Sequence, residues 1–262
     1  MSEAVRLEYD ATGEGPPLII LHGLFGSARN WQSPARRLAG HFRVICVDQR
    51  NHGRSAHTAG FDYTDMAADL GALMDELGLP AANLVGHSMG GKTAMSFALA
   101  HPERVTRLVM VDIAPVAYAD VHSPVVAALQ ALPLEQYSRR QQADEALAAS
   151  VPEADIRSFL LQNLVLGSQG GSWRLNLAAI AASIPALVAA PPGCASATFT
   201  GPAHVIRGAR SDRVSDRYLP EFRRCFPALA VHTVEAAGHW PHAENPAGFL
   251  RALLAALELG DP

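Results

Sequence analysis

The sequence predicts an α/β fold: a doubly wound, mostly parallel sheet interrupted by a helical insertion. Three observations predict it. Short apolar runs alternate with helical patterns through residues 1–113, a stretch of helical periodicity occupies 114–192, and alternation resumes over 193–262. The expected organisation is therefore one core domain made of the two outer segments, with 114–192 as a helical cap inserted in it. A chain of 262 residues, 49% apolar and with formal net charge −4, suits such a domain.

The elements follow in order. Leu18-Ile19-Ile20-Leu21, bounded by Pro16-Pro17 and Gly23, reads as a strand buried on both faces. Val44-Ile45-Cys46-Val47 is a second strand and ends at Asp48. Between it and the next strand, Met66, Leu70, Leu73, Met74 and Leu77 share one helical face, with Thr64 and Asp65 as start signals and Gly78 and Pro80 as the stop. Leu84-Val85 and Leu108-Val109-Met110-Val111 are the third and fourth strands, the last ending at Asp112. The following segment is rich in Ala, Leu and Gln, carries no convincing strand, and is punctuated into helices by Pro124, Pro133, Pro152 and Pro185. His204-Val205-Ile206-Arg207 and Ala230-Val231-His232-Thr233-Val234 are strand patterns again. Phe249, Leu250, Leu253, Leu254 and Leu257 mark a closing amphipathic helix.

Composition excludes several function classes. Both charge signs are scattered, so no basic block points to nucleic acid and no basic amphipathic stretch to a membrane surface. No apolar run reaches the roughly 18 residues of a membrane span, and Met1 to Arg6 lack a signal-peptide pattern. The three isolated cysteines, Cys46, Cys194 and Cys225, point to reduced thiols in a cytoplasmic protein, with Cys46 a core residue.

The informative stretch runs from Val85 to Thr93 and fits two patterns. Gly86-His87-Ser88-Met89-Gly90 is G-x-S-x-G, a nucleophilic serine on a tight turn between strand and helix. Gly86 to Thr93 also fits the phosphate-binding loop G-x-x-x-x-G-K-[ST], and Asp48 and Asp112 end strands as magnesium-binding aspartates do. The second pattern leaves His22-Gly23 and Gly238-His239 without a purpose. It also follows about 80 residues of chain, whereas such loops usually follow an early strand.

A serine nucleophile needs a base, an acid to orient that base, and donors for the developing oxyanion. Among eleven histidines, His239 stands out by position, in a small-residue loop between the last strand and the last helix. His242 is a lesser candidate. His239, His242 and Glu244 match no metal-ligand spacing, so neither a metal nor a cofactor is expected. Two aspartates compete for the acid. Asp212 follows the penultimate strand, the usual position, and is favoured on that ground. Asp112 ends the strand after the nucleophile helix, the alternative position. For the oxyanion, the N–H of Met89 is expected from the helix N-terminus. The second donor is expected from the glycine-rich loop after the first strand: Leu24 first, Phe25 second. Trp240 is expected to line the substrate pocket, and His22 to stand beside it, mainly holding that loop.

These residues resemble the α/β-hydrolases, and within them the small bacterial esterases of the YbfF type and the related mitochondrial abhydrolase-11 group. The likeness rests on His22 to Ser27, Asp48 to Ser55, Gly86 to Lys92, Val111 to Val116, Phe159 to Leu164 and Gly238-His239-Trp240. It implies the α/β-hydrolase fold and a serine acyl hydrolase with Ser88 as nucleophile and His239 as base. In YbfF-like members the loop after the penultimate strand often lacks an aspartate, and the position of Asp112 looks like the substitute, so the resemblance raises Asp112. Both acids stay open. The expected activity is carboxylic-ester hydrolysis with short to medium acyl chains, on a small-molecule ester or thioester. Thioesterase, lactonase and carbon–carbon hydrolase chemistry share the same triad; a nucleotidase and a non-catalytic binding protein are the rivals from other classes.

Overall fold

The computed structural model describes residues 3–167 and 170–259. The strands are β1 (Tyr9–Thr12), β2 (Pro17–Leu21), β3 (Arg43–Val47), β4 (Ala82–His87), β5 (Val105–Val111), β6 (Leu164–Gly167), β7 (Gly170–Trp173), β8 (Ala203–Gly208) and β9 (Leu229–Val234). Seven of them form one sheet in the order β1-β3-β2-β4-β5-β8-β9. All pairings in it are parallel except β1 with β3. The apolar runs of β2, β4 and β5 are central and buried, as a parallel sheet covered on both faces requires. β1 was not among the expected strands: Tyr-Asp-Ala-Thr has no apolar run, and an antiparallel edge strand with one neighbour needs none.

Helices cover both faces. These are α1 (Gln32–Leu38), α2 (Tyr63–Glu76), α3 (Met89–Ala100), α4 (Ser123–Gln130), α5 (Arg140–Leu147), α6 (Ala154–Leu161), α7 (Leu177–Val188), α8 (Leu219–Cys225), α9 (Pro241–Glu244) and α10 (Pro246–Ala256). One core cluster joins Ile19, Leu84 and Met110 of the sheet to Leu70, Phe97 and Phe222 of α2, α3 and α8. The opposite face packs Ile20, Val85 and Val109 against Trp31, Leu38 and Phe249. α2 begins one step earlier than its expected signals. Asp62 is the cap, its side chain accepting the Asp65 N–H at 2.8 Å, while Asp65 is buried within the helix and paired with Arg50. Gly78, at φ 65°, ends α2 with the Leu79 N–H on the Met74 carbonyl at 2.8 Å.

Between β5 and β8 lie α4 to α7 and a separate antiparallel hairpin, β6 with β7. The expectation of a strand-free segment is thus corrected. Four residues ending in glycine show too little alternation to be read alone, and only the partner strand makes them a ladder. Pro185 does not separate two helices but sits inside α7, near enough its C-terminus that few backbone bonds follow it. Leu129, Leu147, Leu160 and Ile180 of this segment form a third cluster that continues onto Phe25 and Met89 of the core. Among the described residues no helix is long and apolar enough to cross a membrane, and all three cysteines are free and buried.

Candidate active site

β4 delivers Ser88 at its C-terminal end, in the turn that opens α3. The turn is tight because Gly86 and Gly90 lack side chains. A Cβ on Gly86 would lie 2.2 Å from the Gly90 carbonyl oxygen, and one on Gly90 would lie 2.4 Å from that of Leu21. Ser88 itself takes φ 51° and ψ −117°, a region that costs a non-glycine residue about 1–3 kcal/mol. The gain is exposure of its hydroxyl above the sheet.

His239 stands in the loop after β9, and several bonds hold that loop. The Glu244 carboxylate accepts the N–H groups of Gly238 (2.7 Å) and Trp240 (3.0 Å), bracketing His239. Burial would raise the Glu244 carboxyl, but these N–H groups and the Arg210 guanidinium outweigh it and hold the group below the usual range. His87 is buried and donates from Nε2 to the His239 carbonyl at 2.8 Å. The imidazole of His239 is thereby brought to Ser88, with Nε2 3.1 Å from Oγ. His242 faces away, stacked on Trp31 at 4.4 Å, and burial lowers its imidazole to about 3.

The two aspartates separate sharply. Asp112 has a fully buried side chain, and its Oδ2 lies 2.8 Å from His239 Nδ1. Its other contacts are the Gly208 N–H on Oδ1 (3.0 Å) and the Ser211 hydroxyl on Oδ2 (2.5 Å). Asp112 is aimed inward by φ 49° at the end of β5. Asp212, favoured by loop position, has a side chain 95% exposed, and its ion pair is a long one, 4.0 Å to Arg213. That preference is corrected. The loop after β8 does supply a group, but it is Ser211, one residue earlier, bonded to the carboxylate of Asp112.

Of the expected oxyanion donors, Met89 is the first residue of α3, so its N–H is one that a helix leaves without an internal acceptor. Leu24 borders the space beside Ser88. Phe25 is corrected: its N–H is spent on His52 Nε2 at 3.2 Å. His22 is also moved from the pocket. It is buried, donates from Nδ1 to the Gly23 carbonyl (2.8 Å) and accepts the Gln49 N–H on Nε2 (3.0 Å), tying two loops together. Trp240 lies between the His239 ring (5.2 Å) and Phe159 of α6 (6.0 Å), outside the enclosed cavity beside Ser88.

That cavity is small, about 30 Å³, and α3, α7 and the loop after β8 wall it. A larger cleft of about 950 Å³ lies elsewhere, between the loops after β2 and β3 and the α6–β7 region, and Ser88 does not border it. Geometry at Ser88, not cleft size, therefore marks the candidate reactive centre. Lys92 stands in the first turn of α3. Its Nζ donates to the carbonyls of Val188 (3.3 Å) and Ala189 (2.5 Å), at the end of α7. A phosphate-loop lysine would point to the same side as the loop's N–H groups, toward the phosphates they cradle; this one points at the inserted segment. Ser211 and Lys92 carry no local sequence signal for these roles, since each acts on a residue far away in the chain, 99 and 96 positions for Asp112 and Val188; Glu244 acts only four to six residues away, on Trp240 and Gly238. Among the described residues no group of three or more His, Cys, Asp or Glu stands together as a metal site would.

Residues 16–246 match the family model described as the alpha/beta hydrolase fold. The chain belongs to the α/β-hydrolase family. It is 40% identical over 253 residues to the sn-1-specific diacylglycerol lipase ABHD11 of Xenopus tropicalis, covering 94% of this chain and 79% of that one. It is 36% identical over 238 residues to the esterase YbfF of Escherichia coli K12, covering 90% and 91%. A solved structure of a marine microorganism esterase superposes with a TM-score of 0.92 at 35% identity, covering 96% of this chain and 99% of that one.

Proposed function

We propose that this α/β-hydrolase cleaves carboxylic esters through an acyl-enzyme, with Ser88 as nucleophile, His239 as general base and Asp112 as the orienting acid. The observation that carries the reading is the continuous line Ser88 Oγ–His239 Nε2–His239 Nδ1–Asp112 Oδ2, at 3.1 and 2.8 Å, ending on a buried carboxylate. The relatives named as esterases and lipases support the same chemistry.

Each step follows from the groups present. Asp112 accepts the Nδ1–H, which leaves Nε2 as the acceptor for the Ser88 proton. Oγ attacks the acyl carbonyl, and the N–H groups of Met89 and Leu24 meet the oxyanion at the positive end of α3. His239 then passes the proton to the leaving alcohol, and water, activated by the same imidazole, releases the acid. The acid that orients His239 is buried and accepts from Ser211, Gly208 and the imidazole, which holds the ring in one orientation and one tautomer.

Residues 114–192 serve as a cap over residues 1–113 and 193–262. The cluster continuing from Leu129 and Ile180 onto Met89 supports this, since it seats the segment beside Ser88. The small cavity supports short acyl groups over long ones. Three buried, unpaired thiols support a reducing compartment, the cytoplasm.

A fluorophosphonate probe tests the reading. The wild-type chain is expected to be labelled once per molecule and to hydrolyse p-nitrophenyl acetate, and Ser88→Ala to lose both. Labelling that persists in Ser88→Ala, or no labelling together with magnesium-dependent nucleotide binding, would overturn it.

A further inference from the structure

The cavity beside Ser88 has a charge pattern that ester hydrolysis alone does not call for. Two cations, Lys92 and Arg213, line it, and no carboxylate does. Lys92 is buried along α3. Arg213 comes from the loop after β8, where the Tyr118 hydroxyl pins its backbone by donating to the Arg213 carbonyl at 2.7 Å. Both cations lie against the Tyr118 ring, at 4.9 Å (Lys92 Nζ) and 5.3 Å (Arg213 guanidinium) from its centroid. Burial, with repulsion from Arg213 adding to it, lowers the Lys92 ammonium to about 7.

Among the described residues no carboxylate lies closer to them than the exposed Asp212, and Lys92 meets only the Val188 and Ala189 carbonyls. The Asp112 oxygens are taken by His239, Ser211 and Gly208. Asp212 is out in solvent, 4.0 Å from Arg213 Nε. Among the described residues the Arg213 guanidinium donates no hydrogen bond, although its side chain is only 24% exposed. A planar fork of donors held in place, three-quarters buried and unspent is what a carboxylate binds.

The side of the scissile bond also follows. His239 must hand its proton to the leaving alcohol, yet it does not border this cavity, whereas Met89 and Leu24 do. The group held there is therefore the acyl part.

We propose that Arg213, with Lys92 behind it, forms a carboxylate subsite, and that the substrate class is short hemiesters of dicarboxylic acids. This rests on the esterase reading above. Ser88 Oγ would form the acyl bond as the acyl–alkoxide bond breaks, with its proton leaving on the alcohol by way of His239. Water would then release the free dicarboxylate, whose distal carboxylate stays on Arg213 throughout. The small cavity limits the spacer to a few carbons.

The test compares monoethyl succinate with ethyl 4-methylpentanoate, in which an isopropyl group replaces the carboxylate at equal shape. Each enzyme's kcat/KM ratio for the pair is read, so that any general loss of activity cancels. The wild type is expected to favour the hemiester by about 10-fold or more, Arg213→Gln to lose that preference, and Arg213→Lys to keep part of it, because a point charge replaces a bidentate fork. Equal or better hydrolysis of the neutral ester by the wild type overturns the proposal while leaving the esterase reading intact. So does a preference that survives in Arg213→Gln. If neither ester is cleaved and the fluorophosphonate does not label, both readings fail together. Should Arg213→Gln not fold, the wild-type ratio alone decides.

Discussion

At the scale of single residues, Asp112 and Ser88 share an unusual feature, positive φ at a non-glycine residue: 49° and 51°. Each follows a central strand, and the positive φ lifts its side chain out of the strand's alternation and toward His239. Such strain persists where surrounding bonds over-determine it. Here the Ser88 N–H is held by the Val111 carbonyl (3.0 Å) and the Asp112 N–H by that of Ile206 (2.8 Å). Asp112→Asn should keep this geometry but offer His239 the wrong partner, and kcat for p-nitrophenyl acetate is expected to fall about 10³- to 10⁴-fold. Asp212→Asn, changing an exposed side chain, should alter kcat less than about 2-fold at unchanged stability. The reverse pattern would return the acid to Asp212.

At the scale of elements, two junctions matter more than any helix interior. The first is the β9–α9 turn, where Glu244 on short α9 brackets His239 through two backbone N–H groups. Glu244→Ala frees the turn that carries the base. A misplacement near 1 Å can cost about 100-fold, so kcat should drop about 10- to 100-fold with KM little changed in steady-state assays. The second junction is the end of α7, whose last carbonyls are taken by side chains of α2 and α3, with the Tyr118 N–H also on Val188 at 2.9 Å. The Tyr63 hydroxyl on α2 donates to Leu187 (2.6 Å), and Lys92 on α3 donates to Val188 and Ala189. Removing the hydroxyl in Tyr63→Phe strands a buried carbonyl, and a loss of about 1–3 kcal/mol is expected in urea unfolding. An unchanged midpoint would mean that water takes over the bond.

At the scale of the whole molecule, histidines do structural work that pH should reveal. His22, His52 and His242 are buried, and burial lowers them from the ordinary 6.5 to about 4, 3 and 3. The sign follows from proton uptake. Between pH 6.5 and about 4 the unfolded chain binds protons at these positions and the folded chain does not, so stability falls as pH falls. Each such histidine contributes up to about 1.4 kcal/mol per pH unit in that window. Denaturant titrations should find stability dropping steeply as pH falls from 6.5 to 4. His242→Phe, which keeps the stack on Trp31, should make the drop shallower. A slope unchanged by that substitution would assign the acid sensitivity elsewhere.

Much of the architecture was legible in one dimension. The apolar runs of β2, β3, β4 and β5 are buried on both faces, and burial on both faces leaves no room for polar residues within them. The tight turn at Gly86 to Gly90 was legible because only glycines tolerate the approach to Leu21 and His22. The edge strand β1 and the hairpin β6–β7 were not, because their stability comes from a partner rather than from their own pattern. Sequence alone determined the fold class and singled out Ser88 and His239 as the candidate nucleophile and base, since local backbone geometry and chain order constrain all three. Only the tertiary structure set Asp112 rather than Asp212 against His239, spent the Phe25 N–H on His52, and turned Lys92 and Arg213 toward one cavity. Those outcomes depend on which side chain is buried facing which, and residues about a hundred positions apart are brought together by the sheet's crossovers rather than by any spacing along the chain.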